Sequence, residues 1–156
     1  MRKEFFELKN GEKAILPFSD SEYETRISKL RKVIADGGID FVIFTSMHNI
    51  AYYSGFLYCS FGRPYALIVS NDLNITVSAN IDLGQPWRRS YGQNIIYTDW
   101  KRDNFWRAVS SIVGHGKIVG IEGDHITFQQ NEKLKEIVKP KKSKDISDDV
   151  MKIRMI

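Results

Sequence analysis

The sequence predicts an α/β domain of three layers, with a mixed sheet of about five or six strands flanked by helices. Three observations lead there. Phe41-Val42-Ile43-Phe44 and Lys117–Glu122 (KIVGIE) are short, continuous apolar runs, the mark of strands buried on both faces. Segments with helical spacing of apolar residues alternate with them. Tyr65–Ser70 (YALIVS) and Ile75–Ala79 (ITVSA) are joined by the turn cluster Asn71-Asp72-Leu73-Asn74. That pair reads as a hairpin, which makes the sheet mixed.

The elements follow in order. Met1–Phe18 reads as an irregular arm with apolar anchors at Phe5, Phe6 and Leu8. Ser19–Ala35 reads as a helix, with Ser21 and Glu24 as a capping box. Its Tyr23, Ile27, Leu30 and Ile34 share one face, and Gly37-Gly38 ends it. Asn49–Ser54 is a short helix after the first strand, leading into an aromatic loop. After the hairpin, Asp82–Tyr91 is expected to be helical with Pro86 in its first turn. Asn94–Tyr97 is a short strand. Asp103–Val113 is a helix that buries Trp106, Val109 and Val113 and stops at Gly114. Thr127–Val138 is a helix opened by a Thr127–Gln130 capping box. Lys139–Lys144 (KPKKSK) reads as a solvated connector. Ile146–Ile156 is an amphipathic run whose apolar residues have no obvious partner.

Composition narrows the function classes. A chain of 156 residues fits one domain with a core of its own. The net charge of +4 comes from 23 basic and 19 acidic residues, interleaved, which argues against a nucleic-acid partner. No apolar run approaches a membrane span, and MRKEFFELKNGEK lacks the apolar region of a signal peptide. Cys59 is the single cysteine, so no internal disulfide can form. It reads as a buried, inert thiol in a reducing, cytoplasmic setting.

Chemistry concentrates in Tyr52–Leu67, YYSGFLYCSFGRPYAL. Arg63 stands between Gly62 and Pro64. Glycine opens backbone angles closed to other residues, and proline biases its predecessor towards an extended form. The guanidinium therefore projects from a stiff turn flanked by Phe56, Tyr58, Phe61 and Tyr65. Two readings fit. In one, the fork binds the carboxylate of a small ligand against an aromatic wall. In the other, the arginine pairs with an acidic residue and pins its loop. No complete catalytic set is present. His48, His115 and His125 lack metal-ligand spacing. Glu122, Asp124 and His125 form an acid–histidine cluster that reads as a hydrogen-bonded turn. His48 could cap a helix or orient a neighbour. Trp87 reads as core with Arg88 and Arg89 solvated or paired, Tyr52 and Tyr53 as core and rim of one pocket-facing helix, and Asp99–Arg102 as a capped, charged helix approach.

Longer words are more specific. FTSMHNIAYYSGFLYCSFGRPYALIVS (Phe44–Ser70) and SANIDLGQPWRRSYGQNIIYTDWKRDNFW (Ser78–Trp106) resemble the creatinase family. So do FSDSEYETRISKLR, GIEGDHITFQ and the closing MKIRMI. Met47, Gly55 and Leu83 depart from the family pattern, which carries an aromatic, an acidic residue and a glycine there. The resemblance implies the creatinase/prolidase amino-terminal domain, a ribonuclease-H-like layer fold, over residues 1–145. Residues 146–156 would lead into a separate pita-bread catalytic domain. It also implies creatine hydrolysis to sarcosine and urea by a homodimer that uses no metal or other cofactor. The general base and substrate-holding glutamates would lie in the second domain, so this chain alone carries no catalytic residue and is expected to be inactive. Within the FGR word the resemblance gives Arg63 the creatine carboxylate and Phe61 the pocket wall, both contributed to the partner subunit's active site.

Overall fold

The computed structural model describes residues 2–9, 11–57 and 62–155. Among them, one seven-stranded sheet organises the chain. Its strands are β1 (Phe5–Glu7), β2 (Phe41–Phe44), β3 (Ala66–Val69), β4 (Asn74–Ala79), β5 (Gln93–Tyr97), β6 (Ile118–Ile121) and β7 (Lys142–Asp145). Their order across the sheet is β1-β5-β4-β3-β2-β6-β7. The four apolar strands read from sequence, β2, β3, β4 and β6, occupy the middle and are largely buried. Strand β3 runs antiparallel to β2 and to β4, with Val42 opposite Val69 and Ala66 opposite Val77. Strands β4–β5, β2–β6 and β6–β7 pair in parallel. The sheet is therefore mixed, as the hairpin required.

The two strands with no counterpart in the sequence reading are its edges. Strand β1 arises from the arm read as irregular, and β7 from the basic run read as a connector. Lys142–Asp145 pairs residue for residue with Ile118–Ile121, which overturns the connector reading. Edge strands need only one bonded neighbour, and lysines on them discourage pairing with another chain. KSKD therefore lacks the apolar signature that marked the central strands.

Helices flank the sheet. Helix α1 (Asp20–Asp36) buries Tyr23, Ile27, Leu30 and Ile34, the face its spacing predicted. Each of its aliphatic side chains contributes about 1.5–3 kcal/mol by leaving water. Its N-cap is Ser19, whose Oγ accepts from Glu22 N at 3.2 Å, so the Ser21–Glu24 capping box does not form. Helix α2 (Met47–Ser54) begins two residues earlier than expected, under an N-cap at Ser46, and ends at Gly55 in the left-handed region with φ 78°. The expected helix over Asp82–Tyr91 shrinks to a 3-10 turn at Asn80–Asp82 and helix α3 (Gln85–Arg88). Gly84 between them, at φ 87°, breaks the helical path. Helix α4 (Asn104–Val113) stops at Gly114 and buries Trp106, Val109 and Val113 as read. Helix α5 (Phe128–Lys133) carries the Thr127–Gln130 capping box and continues as a π turn through Val138. Helix α6 (Ser147–Arg154) packs on α1. Ile146 and Val150 enter the core, while Met151 and Met155 stay exposed.

Candidate functional site

Strands β2, β4, β5 and β6 all end at one edge of the sheet, and antiparallel β3 starts there. Residues that follow or precede them converge on an open cleft of about 1040 Å³. Thr45 and Met47 follow β2, Thr98 and Asp99 follow β5, His125 follows β6, and Arg63, Pro64 and Tyr65 lead into β3. Ligand sites in open α/β sheets lie at such carboxyl ends, because loops there diverge and leave a crevice.

Arg63 reaches this cleft with its side chain 38% exposed. Its Nη1 donates to Asp99 Oδ2, an ion pair between two loops. Arg63 is thus paired within its own domain, as one of its two readings had it, and it also lines the cleft. The turn around it is anchored on both sides. Tyr97 Oη donates to Pro64 O at 2.8 Å, and Tyr65 Oη donates to Asp82 Oδ2. Burial, followed by the negative charge of Asp99, pushes the Tyr97 phenol well above its ordinary pKa, so it stays a donor. Phe56 and Tyr65 are buried with ring centroids 6.2 Å apart, forming part of the aromatic flank. Tyr58, Cys59 and Phe61 lie outside the described residues.

Lys101 and Lys133 also line the cleft, each with a partner acid. Lys101 Nζ lies 3.1 Å from Glu4 and Lys133 Nζ lies 3.0 Å from Asp103. Asp99 is thus an ion-pair partner, and Asp103, at φ 68°, makes no side-chain cap on α4. Trp100 Nε1 donates to Lys3 O at 2.6 Å, fastening this loop to the amino-terminal arm.

The acid–histidine cluster is a structural joint. Glu122 is 2% exposed at the end of β6. It accepts from Thr45 N at 2.7 Å, Ser46 N at 2.9 Å, Ser46 Oγ, and Asn49 Nδ2 at 2.8 Å. One carboxylate thereby satisfies the free donors where β2 turns into α2. His125 Nδ1 lies 3.1 Å from Thr45 Oγ1, and His48 Nε2 lies 3.5 Å from Ser46 Oγ. Asp124 N donates to Ser147 Oγ at 3.1 Å. Among the described residues, no group of three histidine, cysteine or acidic side chains is placed to hold a metal ion. No described helix is long and apolar enough to cross a membrane.

Two sequence readings change. Trp87 is half-buried, not core: Lys13 Nζ sits 3.5 Å from its ring centroid, and its Nε1 donates to Gly11 O at 3.4 Å. The amino-terminal arm covers it, and that contact leaves no periodic signal. Tyr53 is the core residue, stacked on Phe44 at 5.0 Å, and Tyr52 is the rim, the reverse of the sequence reading, and it is Met47 of their helix that lines the cleft. Asp99 as the partner of Arg63 was hidden for a different reason. The two are 36 positions apart, and only the β4–β5 pairing brings their loops together.

Comparison with known proteins agrees with this architecture. The family model of the creatinase/prolidase N-terminal domain matches residues 26–156. A creatinase from Bacillus sp. (strain B-0618) is 48% identical over 153 residues, covering 95% of this chain. The chain spans only 37% of that relative's length. A solved proline dipeptidase from Streptococcus pneumoniae TIGR4 superposes with a TM-score of 0.75 at 15% identity, covering 83% of this chain and 97% of that one. The prolidase from Pyrococcus furiosus gives a TM-score of 0.65 at 25% identity, over 81% of this chain and 36% of that one. With the mixed sheet, the flanking helices and the cleft at its carboxyl edge in place, the chain belongs to the creatinase/prolidase N-terminal domain family.

Proposed function

We propose that this chain is the amino-terminal domain of a longer creatinase-like hydrolase, and that Arg63 binds the substrate carboxylate in the active site of a neighbouring subunit. The observation that supports it is the position of Arg63: half-exposed, on an anchored turn, in the cleft where the strands end. The 48% identity with a creatinase favours creatine as substrate. Creatine carries a carboxylate at one end and a planar guanidinium at the other. Hydrolysis to sarcosine and urea needs a water directed at the guanidinium carbon, a base for its proton and a proton for the leaving amine. Arg63 would hold the far carboxylate, so that the reacting carbon stays in register with groups outside this chain. Phe61 would wall the pocket beside it. In this reading a homodimer completes each site, and the isolated chain is inactive.

A second reading keeps the arginine and changes the substrate. Likeness to prolidases favours a dipeptidase, whose substrate also ends in a carboxylate. Assaying the longer protein for sarcosine and urea from creatine, beside hydrolysis of X-Pro dipeptides, separates them. Sarcosine formation is the expected result. Dipeptide cleavage with no sarcosine would transfer the assignment to the peptidases.

A further inference from the structure

We propose that Asp99 sets the selectivity of the Arg63 site: its carboxylate is the resident counter-ion of the arginine, and a ligand carboxylate binds by exchanging with it. The proposal rests on Arg63 being a carboxylate site, as argued above, and adds what controls access to it. Three features carry it. First, the contact is a single point. Among the described contacts of Arg63, Nη1 alone is engaged, although a guanidinium offers five donors in a fork. A one-point pair with its acid 48% exposed and its arginine 38% exposed is the kind that a two-point carboxylate can replace. Second, both partners are preset. Thr98 N donates to Glu4 O at 2.9 Å and Trp100 Nε1 to Lys3 O at 2.6 Å, so the backbone before Asp99 and the side chain after it are tied to the amino-terminal segment. On the other side, Tyr97 holds Pro64 at 2.8 Å. Third, Tyr97 is the last residue of β5 and Asp99 follows it by two positions, so the acid and the anchor of the arginine's turn share one support.

The consequence is a filter. A carboxylate tethered in the same chain acts at a high effective concentration, about millimolar or above. Free anions meeting Arg63 from solution must compete with it, so the arginine is not occupied by whatever anion is abundant. A ligand that is also held by other contacts can displace Asp99. Apparent affinity for a bare carboxylate is then reduced by the fraction of time the arginine is taken.

The test uses acetate as a bare carboxylate and the Nε–Hε resonance of Arg63 as the reporter, at constant ionic strength, with Arg63→Lys to assign the signal. Asp99→Asn and Asp99→Ser both remove the resident charge from an exposed position. The expected result is an acetate titration with a midpoint about fivefold lower in both variants than in the unaltered chain. Equal or higher midpoints overturn the exchange, because Asp99 would then only orient the arginine. No acetate response in any form also overturns it. A failure of the clamp itself shows elsewhere, as creatine kinetics that do not change when Arg63 is removed.

Discussion

Tyr97 and Pro64 are joined by a hydrogen bond of 2.8 Å that links the last residue of β5 to the residue after Arg63. The phenol is 4% exposed and keeps its proton, so it donates at all ordinary pH. Replacing it by phenylalanine keeps the ring and removes the bond. Tyr97→Phe is expected to lower stability by about 1 kcal/mol, read as a shift in the urea midpoint with an unchanged slope. A loss near zero would mean that water replaces the phenol and that the turn is not fixed from β5.

Glu122 gathers four donors at the β2–α2 junction. Removing its carboxylate leaves two backbone N–H groups and the Asn49 amide without their acceptor in a buried place. Glu122→Ala is expected to cost about 3 kcal/mol, and Glu122→Gln less, since one oxygen remains to accept. Thermal unfolding of the two variants checks the order. A catalytic role for the GIEGDHI cluster would instead show as normal stability with lost turnover.

Asp145 closes the junction between β7 and α6. Ser147 Oγ at 2.5 Å, Ser147 N at 2.9 Å and Gly123 N at 2.9 Å all donate to Oδ1. Bonds from the Ser147 side chain first, then its backbone, hold this carboxyl below its usual value of 3.8. The folded state thus favours the charged form. Its contribution is complete above that usual value and is lost as pH falls through the lowered folded value. Asp145→Asn is expected to be less stable than the unaltered chain by about 1 kcal/mol at neutral pH, a figure reduced for solvent exposure. Urea titrations in acid should show the two converging. A gap that persists below that range would assign the effect to shape, not charge.

Gly55 ends α2 at φ 78°, and a Cβ there would come within 2.7 Å of Tyr23 Oη. Tyr23 is fully buried and stacked on Tyr91, with ring centroids 5.6 Å apart, so it has little room to yield. Gly55→Asp is expected to destabilise this chain by about 2 kcal/mol. A neutral outcome, measured by calorimetry, would show that the start of the aromatic loop can re-form around a side chain.

The central sheet was legible because its strands are short, apolar and bounded by turn residues. The edges were not. FFE and KSKD look like arm and connector until their neighbours are known, since an edge strand takes its identity from the strand it pairs with. Site residues followed the same rule. Arg63 could be picked out from the local chemistry of Gly62 and Pro64, and of the two fates read for its guanidinium the pairing with an acid is present in the fold. Asp99 could not, because the ion pair depends on how β4 and β5 align. Glu122 was visible as part of a turn, but its four donors come from a segment more than 70 positions away.

The most direct test of the account is the creatine dependence of turnover in the longer protein with Arg63 replaced. Arg63→Ala is expected to raise KM for creatine by about thirtyfold, equivalent to about 2 kcal/mol of lost carboxylate binding. The result that contradicts the account is an Arg63→Ala enzyme with KM and kcat both unchanged.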